Sequence, residues 1–331
     1  MRILFAGTPA LAVPSLQKAA HAHEVVAVLT SPDQPSGRGR ASACPPVKEA
    51  ASRLGLRVLQ PEKLDAAFLE EVKSLTPDLL VVAAFGKIFR KSLLDLFPLG
   101  GINVHPSLLP RHRGPSPISA AILAGDRQTG VTIQKIALKF DTGDIYAQET
   151  HPLKGDETTA SLTEKLAAHG AEVLAGVLAE LAAGRTAPAR VQDETAATYS
   201  HTIAKEDGVI RWEEPAEVIE RKVRAFDPWP RAATTSGGET ILLLKSHVYP
   251  GTLAEDRSQQ ERHLEWEEEG RPERPRVPGD VLVTDRTHGL LVCAGLGILA
   301  VERLQRQFKK PTDWRSFVNG YPGIVGARLG T

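Results

Sequence analysis

The chain has 331 residues, with forty Lys plus Arg against forty Asp plus Glu and a formal net charge of zero. That balance excludes a globally basic nucleic-acid surface and an acidic disordered chain, so any RNA contact must be local. Two cysteines, Cys44 and Cys293, exclude a disulfide scaffold and a multi-cysteine zinc site, and the length suits two domains.

Arg2 leads at once into the strand-like Ile3-Leu4-Phe5-Ala6, which leaves no room for a secretory leader. No apolar run approaches the roughly 18 residues of a membrane helix, so a cytoplasmic protein with no membrane contact is expected. Further strands are expected at Val25 to Leu29, Val58 to Gln60, Leu79 to Ala84, Gly101 to His105 and Val131 to Ile136. Helical patterns fall at Leu11 to Ala20, Val47 to Leu54 and Phe68 to Leu75. Uninterrupted apolar strands alternating with helices indicate strands buried on both faces, and hence an α/β, doubly wound, mostly parallel sheet.

From Ser161 the apolar residues Leu162, Leu166, Val173, Leu174, Val177, Leu178 and Leu181 recur at helical steps, with Ser161 and Glu164 at capping-box spacing and Gly184 as a stop. Residues 189–207 lack that periodicity and read as a surface linker after a first domain over 1–188. The second domain, 208–331, opens with a helix near Glu214 to Ala225. Short strand candidates follow at Thr240 to Leu244, Asp280 to Val283 and Gly289 to Val292, a pattern that fits a small barrel or a sandwich. Near 251–276 Trp266 sits among eight Asp and Glu residues, which reads as an acidic, solvated insertion.

Three segments carry candidate chemistry. In Gly101-Ile102-Asn103-Val104-His105-Pro106 the alternation of a strand puts Asn103 and His105 on one face, and Pro106 ends the strand just beyond them. Ligands of open α/β sheets bind at that carboxyl edge, although the pair could equally cap the strand. Asp141-Thr142-Gly143-Asp144 follows the next strand and is expected at the same edge; it is either an ordinary turn or the carboxylate for His105. An aspartate there would orient the imidazole and raise its pKa, making a charged donor for an oxyanion. Ser31 to Arg40, continuing to Lys48, is either a solvated loop or a basic arm for phosphate. Neither a dinucleotide nor a P-loop fingerprint follows the first strand, and no metal-ligand spacing is present.

Asn103-Val104-His105-Pro106-Ser107-Leu108-Leu109-Pro110, with Asp141-Thr142-Gly143-Asp144 downstream, resembles the signature of the folate-dependent formyltransferases. Within that family Phe5-Ala6-Gly7-Thr8-Pro9, Gly37-Arg38-Gly39-Arg40, Lys205-Glu206-Asp207-Gly208 and Arg224 to Pro230 resemble the members that act on charged tRNA. The resemblance implies a Rossmann-like domain and a small OB-like, tRNA-binding β-barrel. It implies formyl transfer from 10-formyltetrahydrofolate to the α-amine of methionyl initiator tRNA. Nothing in the residues points to a metal or a protein partner, and a monomer is expected. By position Asn103, His105 and Asp141 match the catalytic trio, and Phe85, Gly86, Ser107, Leu108, Leu109 and Pro110 match the folate-binding region. Arg38, Arg40 and Lys48 fall to the tRNA acceptor end. The sequence departs from the family pattern at Pro115-Ser116, at Gln134 to Lys139 and in the long acidic insertion.

A hydrolase giving the formyl group to water could share the trio but would have no use for the basic loop and second domain. Transfer to a small amine, or folate or RNA binding without catalysis, would leave the second domain or the polar trio unexplained.

Overall fold

The computed structural model describes residues 1–36, 41–185, 189–251 and 276–330. Arg38 and Arg40, and most of the acidic insertion, lie outside the described residues. Two compact units divide the chain: Met1–Ala121, Asp126–Gly155 and Ala160–Thr202 form the first; Ile122–Gly125, Asp156–Thr159 and Ile203–Thr331 form the second.

Along the first half the order is β1 (Arg2–Gly7), α1 (Val13–Ala22), β2 (Glu24–Leu29), β3 (Gln34–Ser36), β4 (Ala41–Ala43), α2 (Pro46–Arg53) and β5 (Val58–Leu59). There follow α3 (Ala66–Ser74), β6 (Leu79–Ala83), α4 (Lys91–Leu94), β7 (Gly101–His105), α5 (Pro117–Ala124), β8 (Gln128–Lys135), β9 (Ile145–Pro152) and α6 (Thr159–Ala182). Seven strands make one sheet in the order β5-β2-β1-β6-β7-β8-β9, while β3 and β4 pair only with each other. Pairing is parallel from β5 to β7 and antiparallel from β7 to β9. The central strands are apolar on both faces because helices cover both: Ile3, Leu4, Phe5 and Ala6 of β1 are all 0% exposed. Each large side chain so buried contributes about 1.5 to 3 kcal/mol. The chain reverses its direction of winding between β1 and β6, and the last residue of β1 there is Gly7, where an added Cβ would lie 2.9 Å from the Ala83 carbonyl.

The long helix begins at Thr159, so Ser161 and Glu164 lie within its first turns rather than capping it. Gly184 does stop it, at φ +69°. The edge strand β9 carries Gln148, Glu149, Thr150 and His151 and is mostly half-buried or exposed, which hides it from a search for apolar runs. Part of the stretch read as a surface linker is built into the first unit: Arg190 bridges Ile145, Tyr199 bridges Arg113, and Gln192 is buried. Individual polar bonds hold it there, so hydrophobic periodicity carries no trace of them.

The second unit contains α7 (Ala216–Ala225), β10 (Ala232–Ser236), β11 (Glu239–Val248), β12 (Val281–Asp285), β13 (Gly289–Cys293), β14 (Ile298–Arg306), β15 (Thr312–Asp313) and α8 (Trp314–Gly320). Its strands are antiparallel in the path β10-β11-β14-β13-β12, with β15 on β14. One face packs on Ile219 and Val223 of α7, Phe317 of α8 and Trp212, while Leu291, Ile298 and Ala300 form a smaller cluster. Among the described residues no helix is long and apolar enough to cross a membrane.

Candidate active site

Two parallel strands bring the candidate donor-binding segments to one edge. Ala83 of β6 pairs beside Val104 of β7, so Phe85 and Gly86 leave the sheet next to His105 and Pro106. The antiparallel strand β8 behaves differently from the sequence-based expectation. It pairs Lys135 with Ile102 and Thr132 with His105, so its carboxyl end meets the beginning of β7, not the end. Asp141 reaches the site because the connection from β8 to β9 folds back: its Oδ1 lies 3.4 Å from Asn103 Nδ2 and 3.6 Å from His105 Nδ1. The three candidate residues therefore converge.

The carboxylate is held from several directions. Gln134, paired beside Asn103, donates from Nε2 to Asp141 Oδ1 at 2.7 Å, and the Gly114 backbone N–H donates to Oδ2 at 2.8 Å. Asp141 itself adopts φ +52°, the left-handed region that Asp tolerates better than most side chains. Gly143 is required by space, since a Cβ there would sit 1.7 Å from the Lys135 carbonyl oxygen.

His105 is 4% exposed, and its Nε2 lies 3.0 Å from the His112 carbonyl oxygen. A carbonyl only accepts, so Nε2 carries the proton and the neutral ring presents a bare Nδ1 toward Asp141. Burial pushes the His105 pKa below 6.5, against the opposing pull of the Asp141 charge. The expected rise is thus overturned: removal from water outweighs the carboxylate. His112 stands at φ +56°, its ring bonded to Asp126 at 2.7 Å and its N–H donating to Thr198 Oγ1 at 2.9 Å.

Arg113 is fully buried and serves three partners. Its Nε and Nη2 donate to Gln192 Oε1 at 3.1 and 2.9 Å, its Nη1 and Nη2 form a fork with Glu194, and Nη1 donates to Tyr199 at 3.2 Å. Hydrogen bonding to Arg113 holds the Glu194 carboxyl below its usual range. His112, Arg113 and Gln192 escaped the sequence reading, and Gln134 entered it only as the start of a departure from the family pattern, with no role. The one local signal, Gln134 two residues from Thr132 on an apolar strand, marks an inward polar residue without naming its partner.

The segment from Ser107 to Pro110 forms a loop tied to Arg111 and to Thr132 of β8. Ser107 Oγ donates to the Arg111 carbonyl at 2.6 Å, and Thr132 Oγ1 donates to the Ser107 carbonyl while accepting from the Leu109 N–H. Ser107 and Leu109 are buried, while Leu108 and Pro110 are half-buried, Leu108 in a recess with Arg111, His112 and Asp126. Phe85 stacks on Phe89 with centroids 5.5 Å apart inside the core, whereas Gly86, at φ +74°, has nothing within 4 Å of its missing Cβ. Open space at Gly86 beside the strand carrying His105 is compatible with a planar donor approaching the backbone. Lys48, on α2, gives its Nζ to Asp33 at 2.6 Å. Among the described residues no three His, Cys, Asp or Glu side chains come together as a metal ion requires.

Two family patterns cover the chain: Formyl transferase matches residues 1–178 and Formyl transferase, C-terminal domain, matches 202–322. The methionyl-tRNA formyltransferase of Treponema denticola is 42% identical over 98% of this chain and 98% of its own length. That of Roseiflexus castenholzii is 43% identical over 100% of this chain and 99% of its own. The chain belongs to the methionyl-tRNA formyltransferase family. The fold agrees with that membership: HypX from Aquifex aeolicus, solved with tetrahydrofolic acid, superposes with a TM-score of 0.60 at 18% identity, over 98% of this chain and 48% of that longer one. Family membership makes the chain a formyltransferase, with the Rossmann-like sheet first and the antiparallel β domain second.

Proposed function

We propose that the chain transfers the formyl group of 10-formyltetrahydrofolate to the α-amine of methionyl initiator tRNA, in the cytoplasm, at the start of translation. The observation that carries this reading is the convergence of Asn103 and His105 on Asp141, at 3.4 and 3.6 Å, in a chain whose full-length relatives are named methionyl-tRNA formyltransferases. Phe85, Gly86 and Ser107 to Pro110 would hold the donor, which when bound supplies an electrophilic formyl carbon. The backbone at Gly86 and the rigid loop from Ser107 shape that place, and Phe85 supports it from the core.

Asn103 keeps its amide available, since its bond to Asp141 is long at 3.4 Å, and it donates to the negative oxygen that develops during transfer. Losing one such donor typically costs about 3 to 4 kcal/mol of transition-state stabilisation. The amine of an aminoacyl ester needs no covalent enzyme intermediate, only removal of its proton as it attacks. Asp141 and the bare Nδ1 of His105 form the acceptor pair. Once protonated, the imidazolium has a partner at each nitrogen, the His112 carbonyl and the Asp141 carboxylate. The pair then returns the proton to the departing folate nitrogen, so the site ends as it began.

The tRNA is the partner of the second unit and of Arg38, Arg40 and Lys48, with the protein acting as a monomer. Purified protein supplied with 10-formyltetrahydrofolate and either Met-charged initiator or elongator tRNA tests the whole reading. Rapid formylation of initiator alone is expected; release of free formate without labelling of tRNA would replace it with hydrolysis.

A further inference from the structure

Gln192 lies outside every motif that points to the site, in the stretch that the sequence presents as a linker, yet it is only 6% exposed. Its amide is fully committed. Nε2 donates to the Asp141 carbonyl at 2.9 Å and to the Gly143 carbonyl at 2.7 Å, and lies 3.3 Å from Gln134 Oε1. Its Oε1 accepts two bonds from the buried guanidinium of Arg113. Gln134 and Gly114 hold the Asp141 carboxylate, whereas Gln192 holds the backbone of the turn on either side of Thr142. That backbone is the strained part: at φ +52° a non-glycine residue persists only where its surroundings enforce the left-handed conformation.

We infer that Gln192 is a positioning residue for formyl transfer, which clamps the left-handed backbone of Asp141 so that its carboxylate stays against His105. The inference rests on the proposed role of the trio. It also assigns work to the segment 190–202, which joins the two halves of the sequence while contributing to the site in the first. Arg113 is the anchor behind the clamp: paired with Glu194 and Tyr199, it fixes the orientation of the Gln192 amide, so that oxygen faces the guanidinium and nitrogen faces the turn.

Two substitutions separate the clamp from simple stability. Gln192→Ala removes both functions of the amide. Gln192→Glu keeps the volume and still accepts from Arg113, but has no N–H for the carbonyls of Asp141 and Gly143; a cooperative urea transition in each variant establishes that it is folded. Both variants should lose at least about tenfold in kcat, with KM for each substrate changed by less than about twofold, the signature of misplaced catalytic groups in a folded enzyme.

The second readout is the His105 ring titration followed by NMR in free protein. The ionisable groups around the ring are Asp141 and His112, with Asp126 bonded to the latter; Arg113 and Glu194 pair behind Gln192, and Lys139 is near enough to act on the Glu194 charge. If the carboxylate swings away, the ring loses its nearest anion, keeps the His112 carbonyl, and titrates at lower pH than in wild type. An unchanged His105 titration together with unchanged kcat in a folded Gln192→Ala protein, which adds no charge, would overturn the inference. A wild-type protein that fails to formylate Met-charged tRNA would instead defeat the proposed function, and the titration would still decide whether Gln192 holds Asp141.

Discussion

Gln134 is closer to Asp141 than either of the other two members of the trio is: its Nε2 stands 2.7 Å from Oδ1, against 3.4 Å for Asn103 and 3.6 Å for His105. A neutral donor at that place stabilises the ionised carboxylate without competing for its charge. Gln134→Glu puts a second carboxylate beside that of Asp141. The two like charges should push the Asp141 carboxylate off its place against His105 and lower kcat by about tenfold or more, with Gln134→Ala, which removes the donor without adding a charge, losing less. An unchanged kcat in a folded Gln134→Glu protein would show that the placement of Asp141 does not matter to turnover.

Asp141→Asn keeps the shape of the turn but removes the proton acceptor beside His105. Turnover is expected to fall by roughly a hundredfold or more with folate binding retained, read as kcat against the Kd for the donor. Full turnover with intact binding would remove Asp141 from proton transfer.

Burial of His105 couples stability to pH. The folded ring stays neutral at pH values where an unfolded histidine, titrating near 6.5, already binds a proton. Between 6.5 and the lower folded value the unfolded chain holds the extra proton, so acidification favours unfolding, by at most about 1.4 kcal/mol per pH unit for one group. Above that window the effect vanishes. Urea unfolding at about pH 7.5 and about pH 5.5 should show wild type losing more stability than His105→Gln across the interval. Equal losses would mean that the ring charges as readily folded as unfolded.

Arg113 is buried while its ionic partner Glu194 is largely exposed, so removing the guanidinium strands Gln192 rather than Glu194. Arg113→Met should cost about 3 kcal/mol in urea unfolding. Arg113→Lys should recover only part of it, because an ammonium cannot serve Gln192, Glu194 and Tyr199 in the plane of one fork.

Lys48 is already paired with Asp33, whose carboxyl is held below its usual range by hydrogen bonds from Gln60 and then Lys48 itself. If Lys48 contacts a tRNA phosphate, it does so by exchanging one anion for another. Lys48→Ala should reduce the slope of log K against log salt for tRNA binding by about one, and Asp33→Asn should tighten binding at low salt. An unchanged slope would make Lys48 a local structural cation.

The alternation of apolar strands with helices in the first half, the break in periodicity before the second, and the pairing of Asn103 with His105 on one strand face were all legible in the chain. These features are local: side-chain direction along a strand follows from backbone geometry alone, and apolar runs report burial whatever packs against them. Tertiary structure decided the rest. The antiparallel direction of β8 sets the route by which Asp141 reaches His105, and the depth of burial reverses the pKa direction that two neighbouring residues suggest. Gln192 and Arg113 lie 79 positions apart and meet through hydrogen bonds that leave no periodic pattern in sequence. Contacts between polar groups distant in the chain are specified by where the backbone carries them, and their energy appears only when both are removed from water together.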